Sequence, residues 1–164
     1  MVWRKNITIM SVQFQNVYLR IDGSGASQSG GKPFGKVNCQ WGAGTYEHFD
    51  LINNDDEANT WSLRSREFEN VYLRIDNEGQ TSRNPQGFGK VNCRYVKSPK
   101  DLSDNEKFQL IAGRPDNVYA IRSVASDVYL RLDSQGQDQP NAYGFGVVNC
   151  QGAITPYERF VVSE

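Results

Sequence analysis

The chain of 164 residues has no long apolar run; its most hydrophobic windows are five or six residues, against roughly 20 for a membrane-spanning helix. Membrane insertion is therefore not expected. It has one histidine, His48, so neither a cooperative proton switch nor a His-rich metal site has residues to be built from. It has three cysteines, Cys39, Cys93 and Cys150, an odd number with no C-x-x-C pair, which argues against a disulfide framework, a zinc site or a redox motif. Excess charge of either sign is also missing: 18 Lys and Arg against 19 Asp and Glu leave a formal charge of −1. That removes the electrostatic case for nucleic acid or an anionic membrane as partner. The opening residues Met1–Lys5 lack the apolar stretch of a secretory signal. With reduced thiols this favours a cytoplasmic location, and without such a signal the sequon Asn6-Ile7-Thr8 carries little weight. No Ser/His/Asp or Cys/His set suggests nucleophilic catalysis, so no enzyme activity and no cofactor are expected.

What the sequence does have is a repeat. Val17-Tyr-Leu-Arg-Ile-Asp22 returns as Val71-Tyr-Leu-Arg-Ile-Asp76 and as Val128-Tyr-Leu-Arg-Leu-Asp133. Twelve residues after each Asp stands Phe34-Gly35, Phe88-Gly89 or Phe145-Gly146, followed by Val-Asn-Cys ending at Cys39, Cys93 and Cys150. Each unit closes on Glu-x-Phe: Glu47-His48-Phe49, Glu106-Lys107-Phe108 and Glu158-Arg159-Phe160. Ile7-Thr-Ile9, Trp61-Ser-Leu63 and Tyr119-Ala-Ile121 open the units. The aspartates at 22, 76 and 133 are spaced by 54 and then 57 residues. Chance does not reproduce such a register.

Every repeated segment alternates apolar and polar residues with period two, the pattern of a half-buried strand, and Gly-, Ser-, Asn- and Pro-rich turns separate them. Four strands per unit give twelve, in units of about residues 6–57, 58–115 and 116–164 within one domain spanning 1–164. Three such units have one well-known closed solution, the all-β β-trefoil: two strands of each enter a six-stranded barrel and two form hairpins capping one end. Closure removes sheet edges. A propeller also uses four-stranded units, but three blades are too few to close. The expected core is Leu19, Leu73 and Leu130; Val37, Val91 and Val148; Phe49, Phe108 and Phe160; and the three thiols, packed as small hydrophobes.

Tyr-Leu-Arg-x-Asp, then Gly-x-Val, then a Tyr-Glu-x-Phe close such as Tyr46–Phe49 or Tyr157–Phe160, resembles the unit of the fascin and hisactophilin group of β-trefoils. Asn105 replaces the closing tyrosine in the second unit. The resemblance covers nearly the whole chain. It implies the trefoil fold and, as one functional possibility, actin-filament binding. Fascins, however, use four tandem trefoils and hisactophilin many histidines. The Gln-x-Trp mark of ricin-type lectins is lacking, so that family's sugar-binding residues have no counterparts here.

Period two places Tyr18, Arg20 and Asp22, Tyr72, Arg74 and Asp76, and Tyr129, Arg131 and Asp133 outward, with Asn38, Asn92 and Asn149 beside them. A ring that stacks on a sugar face, with a carboxylate and an amide for paired hydroxyls, suits a glycan. The leading expectation is thus a lectin-like module with up to three equivalent sites made of the Tyr, Asp and Asn sets. Actin binding is the alternative, and a protease-inhibitor or toxin-targeting trefoil a third. Cross-strand Arg–Asp and Tyr–Asn contacts also stabilise hairpins, a role that leads for the three arginines and competes evenly for Asp and Asn. One or two acids per Asp-Gly-type turn are too few for calcium, and Glu47, Glu106 and Glu158 read as structural hydrogen-bond acceptors. Two loop features complete the set. Each Asp is joined to its Phe-Gly by eleven residues, 23–33, 77–87 and 134–144, constant in length and variable in sequence, as recognition loops are. The second unit also has 13 residues from Cys93 to Glu106 where the others have eight from Cys to Glu, an insertion open to a partner-contact or a merely tolerated reading.

Overall fold

A computed structural model describes residues 2–24, 26, 34–54, 59–76, 88–136 and 144–164. Its strands follow the repeat. Unit one supplies β1 (Val2–Ser11), β2 (Val17–Asp22), β3 (Phe34–Trp41) and β4 (Phe49–Asn53). Unit two supplies β5 (Trp61–Ser65), β6 (Val71–Asp76), β7 (Gly89–Tyr95) and β8 (Phe108–Ala112). Unit three supplies β9 (Val118–Ser123), β10 (Tyr129–Asp133), β11 (Gly146–Gln151) and β12 (Phe160–Ser163). Among the described residues no helix is long and apolar enough to cross a membrane, and the helical turns are four single 3-10 turns.

Two rings close. The barrel runs β1–β4–β5–β8–β9–β12 and returns to β1, every pair antiparallel. The cap consists of the hairpins β2–β3, β6–β7 and β10–β11, joined into a triangle because β3 pairs with β7, β7 with β11 and β11 with β3. Register explains the alternation. Leu19 lies opposite Cys39, Leu73 opposite Cys93 and Leu130 opposite Cys150, and all six are fully buried. Phe49, Phe108 and Phe160 fill the barrel, also fully buried. The space left on the barrel axis is about 10 Å3, roughly one probe sphere of water. A larger hollow of about 130 Å3 adjoins it, lined by Arg4, Asn59, Trp61 and Tyr119.

The three thiols are free and buried. Each sits against the Phe-Gly glycine of another unit: Cys39 by Gly146, Cys93 by Gly35 and Cys150 by Gly89. Glycine is needed there. A Cβ at 146 would lie 2.6 Å from the Cys39 sulfur and 2.6 Å from the Ser134 carbonyl oxygen, and one at 35 would lie 2.8 Å from the Cys93 sulfur. Burial pushes each thiol up to about 12, with the sulfurs of Cys39 and Cys93 directed at carbonyl oxygens of neighbouring units.

Three outward placements are corrected: Arg20 and Asn92 are buried, and so is Tyr72. Tyr72 is fully buried, whereas Tyr18 and Tyr129 are half-buried as alternation leads one to expect. For Tyr72 the cause is the second unit's insertion. Val96 and Leu102 from that segment fold over Tyr72 and, with Ile52, make a small second core. A 3-10 turn at Pro99–Asp101 lets the chain double back to place Leu102 there. The inserted residues are thus a packed structural element.

Candidate functional site

The repeated polar residues converge on three arginines. In the first centre Arg20 donates to the Asn38 carbonyl at 3.1 Å, lies 3.7 Å from Asp22, and points Nε at Glu47 from 3.5 Å. In the second, Arg74 donates to Asn92 at 3.3 Å and Asp76 at 3.2 Å, with Nε 3.4 Å from Glu106. In the third, Arg131 donates to Asn149 at 3.3 Å and lies 3.6 Å from both Asp133 and Glu158. The structure therefore brings each Asp–Asn pair together across a hairpin with an arginine between them. Tyr18 and Tyr129 lie one pleat further along the same strand face, and Tyr72 is withdrawn into the second core.

The glutamates are fully buried, and each closes a 3-10 turn by accepting a backbone N–H three residues back. Gly44 donates to Glu47 at 2.6 Å, Ser103 to Glu106 at 3.0 Å and Thr155 to Glu158 at 2.6 Å. The structural role expected of them is what the geometry gives. Their second oxygens face the arginine Nε at lengths that are ionic rather than well-formed hydrogen bonds. Such a carboxylate is tolerated inside a protein because a cation and hydrogen bonds meet it there.

The arginines are clamped between rings. Arg20 lies under Phe145 at 4.3 Å and Tyr46 at 4.6 Å, and Arg131 under Phe88 at 4.2 Å and Tyr157 at 4.8 Å. Arg74 lies under Phe34 at 4.9 Å. In every case the phenylalanine comes from a different unit than the arginine. These are cation–π contacts across the unit boundaries, and they make each centre a composite of two repeats.

Those phenylalanines are what the sequence reasoning missed as site residues. Phe34, Phe88 and Phe145 are 44%, 53% and 51% exposed, while the core phenylalanines are essentially inaccessible. The signal was present in the invariant Phe-Gly. What sequence could not supply was that the ring lies over a neighbouring unit's arginine with about half its surface in solvent.

The aspartates have structural duties and spare capacity. Asp22 accepts from the Ser24 amide at 3.0 Å and its hydroxyl at 2.6 Å, and Asp133 accepts from the Gln135 amide at 3.1 Å. Burial alone would raise the Asp22 carboxyl, but the Ser24 hydrogen bonds and the Arg20 and Lys36 charges outweigh it and hold its pKa below the ordinary aspartate value. An ionised carboxylate has about four acceptor positions, so each can take a further hydroxyl. Of the eleven-residue connections, residues 25, 27–33, 77–87 and 137–143 lie outside the described residues. Among the described residues no three His, Cys, Asp or Glu side chains are grouped to hold a metal ion. His48 is held by a 2.6 Å contact from Nδ1 to the carbonyl of Gly44, whose N–H binds Glu47.

Twelve strands in three units, a closed six-stranded barrel and a closed triangle of hairpins define a β-trefoil. No family model matches the chain, and no curated protein matches it either. Solved structures do. The designed threefold-symmetric protein ThreeFoil matches over 97% of this chain and 98% of its own, with TM-score 0.68 and 13% identity. SeviL, in a structure bound to asialo-GM1 saccharide, matches over 99% and 97%, with TM-score 0.63 and 10% identity. A mosquitocidal holotoxin matches over 99% of this chain but 17% of its own length, with TM-score 0.67 and 12% identity. At these identities the likeness is one of fold.

Proposed function

We propose that this β-trefoil is a non-enzymatic, lectin-like module that binds glycans at the three composite centres on its hairpin cap. The observation that carries the reading is the set of half-exposed rings. Of the five large apolar side chains exposed among the described residues, three are Phe34, Phe88 and Phe145, at one repeat position. Each ring is fixed on one side by a guanidinium whose polar partners include an aspartate and an asparagine. A flat apolar face beside polar hydrogen-bonding groups is what a pyranose, with one C–H face and a rim of hydroxyls, requires. Three weak centres on one rigid cap would give avidity for clustered glycans. SeviL, a protein of this fold, was seen with a bound saccharide, which makes the reading reasonable for the architecture without carrying over any residue.

Fascin-like kinship and actin binding form the second arm of the test. The residues behind that resemblance, the Arg-x-Asp and Glu-x-Phe motifs, build the clamps and 3-10 turns, so they speak for shared architecture rather than a shared partner. A glycan array run beside an actin co-sedimentation assay separates the two. Selective retention on glycans is expected. Pelleting with filaments and an empty array would replace this reading with the other.

A further inference from the structure

Although the cap is built on threefold symmetry, its charge is not distributed that way. Position 94 in the second centre is an arginine, where the first has Gln40 and the third Gln151. Arg94 lies directly across β3–β7 from Phe34, on the same side of the sheet. Its guanidinium meets Glu106 at 3.1 Å through one of five N–H groups, and its side chain is 35% exposed. The second centre is also flanked by two lysines: Lys90 opposite Asp76, and Lys36 opposite Asn92. The first has Lys36 opposite Asp22 but Val147 opposite Asn38. The third has Lys90 opposite Asn149 but Val147 opposite Asp133. One arginine for a glutamine and one lysine for a valine give these positions of the second centre two more positive charges than either of the others, against one acid, Asp104, where the others have Thr45 and Pro156.

The second centre differs in its clamp as well. Asn105 stands where Tyr46 and Tyr157 stack on the other arginines. Among the described residues Arg74 thus has a ring on one face where Arg20 and Arg131 have rings on both. Its side chain is accordingly the most exposed of the three, 15% against 10% and 11%. A guanidinium with a ring on one face among the described residues, a second and more exposed guanidinium sharing Glu106 with it, and two lysines at the rim make a site for a carboxylate or sulfate.

We infer that the three centres are not equivalent, and that the Phe34–Arg74–Arg94 centre selects acidic sugars, bearing a carboxylate or a sulfate, while the other two take neutral ones. Arg94 is the specificity-determining residue. This rests on the glycan-binding reading above, and the test keeps the two apart. The intact protein is applied to an array on which each neutral oligosaccharide is printed beside its carboxylated and its sulfated derivative. Retention on acidic members about tenfold or more stronger than on their neutral parents is expected, as for a charge-assisted hydrogen bond, with the excess shrinking as salt rises. Arg94→Gln, which installs the residue of the other centres, should remove that excess, while neutral oligosaccharides are still retained through the other two centres. Lys90→Val, which installs the residue found at 147 and is independent of the Glu106 contact, should reduce it. Whether carboxylate or sulfate is preferred is read from the two derivative columns. Neutral binding without an acidic excess, or an excess unchanged in both variants, overturns this inference and leaves the glycan reading standing. An array empty for every member overturns both.

Discussion

Replacing Phe145 by leucine, and by alanine, separates what the exposed ring does for the fold from what it does for a ligand. The ring is 51% exposed, so about half of the surface of a phenylalanine, on the order of 100 Å2, is buried against its neighbours. At about 25 cal/mol per Å2 its removal costs at most about 2.5 kcal/mol, with the Arg20 stack adding about 0.5–1 kcal/mol at such an exposed position. Alanine loses both terms, about 2–3 kcal/mol, or a fall in Tm of roughly 5–10 °C for a chain of this size. Leucine keeps most of the burial and loses only the planar face, so it should cost about 1 kcal/mol or less. For a ligand the ranking differs. A sugar that stacks on the ring loses its platform in both variants, and a central aromatic contact of this kind is worth about 2 kcal/mol, some thirtyfold in affinity. The decisive protein is therefore the triple variant Phe34→Leu, Phe88→Leu, Phe145→Leu, followed by thermal melting and by binding to a glycan-bearing surface. It should melt within about 10 °C of the parent and lose at least tenfold in binding. A variant that melts normally and binds normally would refute the ring as a platform. One that does not fold would refute the estimate that leucine keeps most of the burial, and the single Phe→Leu variants would then carry the binding comparison.

Further outcomes follow from the interior. Cys39, Cys93 and Cys150, buried and with pKa values pushed up to about 12, should react with Ellman's reagent only as fast as the protein unfolds; rapid labelling in the native state would contradict the packing of sulfur on glycine. Gly146→Ala drives a Cβ to within 2.7 Å of two carbonyl oxygens as well as the Cys39 sulfur, so Cys39→Ala should rescue it only in part; about 1–3 kcal/mol of destabilisation is expected by denaturant titration. Asp50 accepts from Arg66 at 2.6 Å, Arg64 at 3.1 Å and the Asn6 amide at 3.1 Å. Burial opposes its ionisation but those hydrogen bonds prevail, and the folded pKa lies below the ordinary value. Its contribution is therefore fully present above the unfolded aspartate pKa near 4 and is lost as pH falls through the lower folded value. Asp50→Asn should be less stable than the parent at pH 6, and the gap should close below pH 4; a gap independent of pH would mean that the charge is immaterial.

Strand identity and the core were legible because period two is a local property. Val17, Leu19 and Ile21 announce an inward face from six consecutive residues, and the same holds in the other units. The duty of the closing glutamates was legible too, since an acid three residues after a turn residue and next to a core Phe has few other uses. Tyr72 was not, because the residues that cover it, Val96 and Leu102, belong to an insertion more than twenty positions away and act against the local pattern. Nor was the platform. Phe145 and Arg20 are separated by most of the chain and meet only because β11 pairs with β3, so their contact is a property of closure. The charge at Arg94 was visible as a letter, but it became a property of the Phe34 centre only once the register across the unit boundary was known.

The clamps run one way around the cap. Phe145 of unit three reaches Arg20 of unit one, Phe34 of unit one reaches Arg74 of unit two, and Phe88 of unit two reaches Arg131 of unit three. Each unit thus offers a ring to one neighbour and accepts one from the other, which is the head-to-tail arrangement of subunits in a cyclic trimer. A unit taken alone would expose both halves of the clamp with neither filled, whereas three identical copies would satisfy every half and leave no free end. Unit three, with Tyr157 completing its own arginine sandwich and Val147 keeping its rim uncharged, has what such a self-assembling protomer needs. Joined in one chain, the units are freed from having to be identical, and a difference such as Arg94 can arise in one without being imposed on all three.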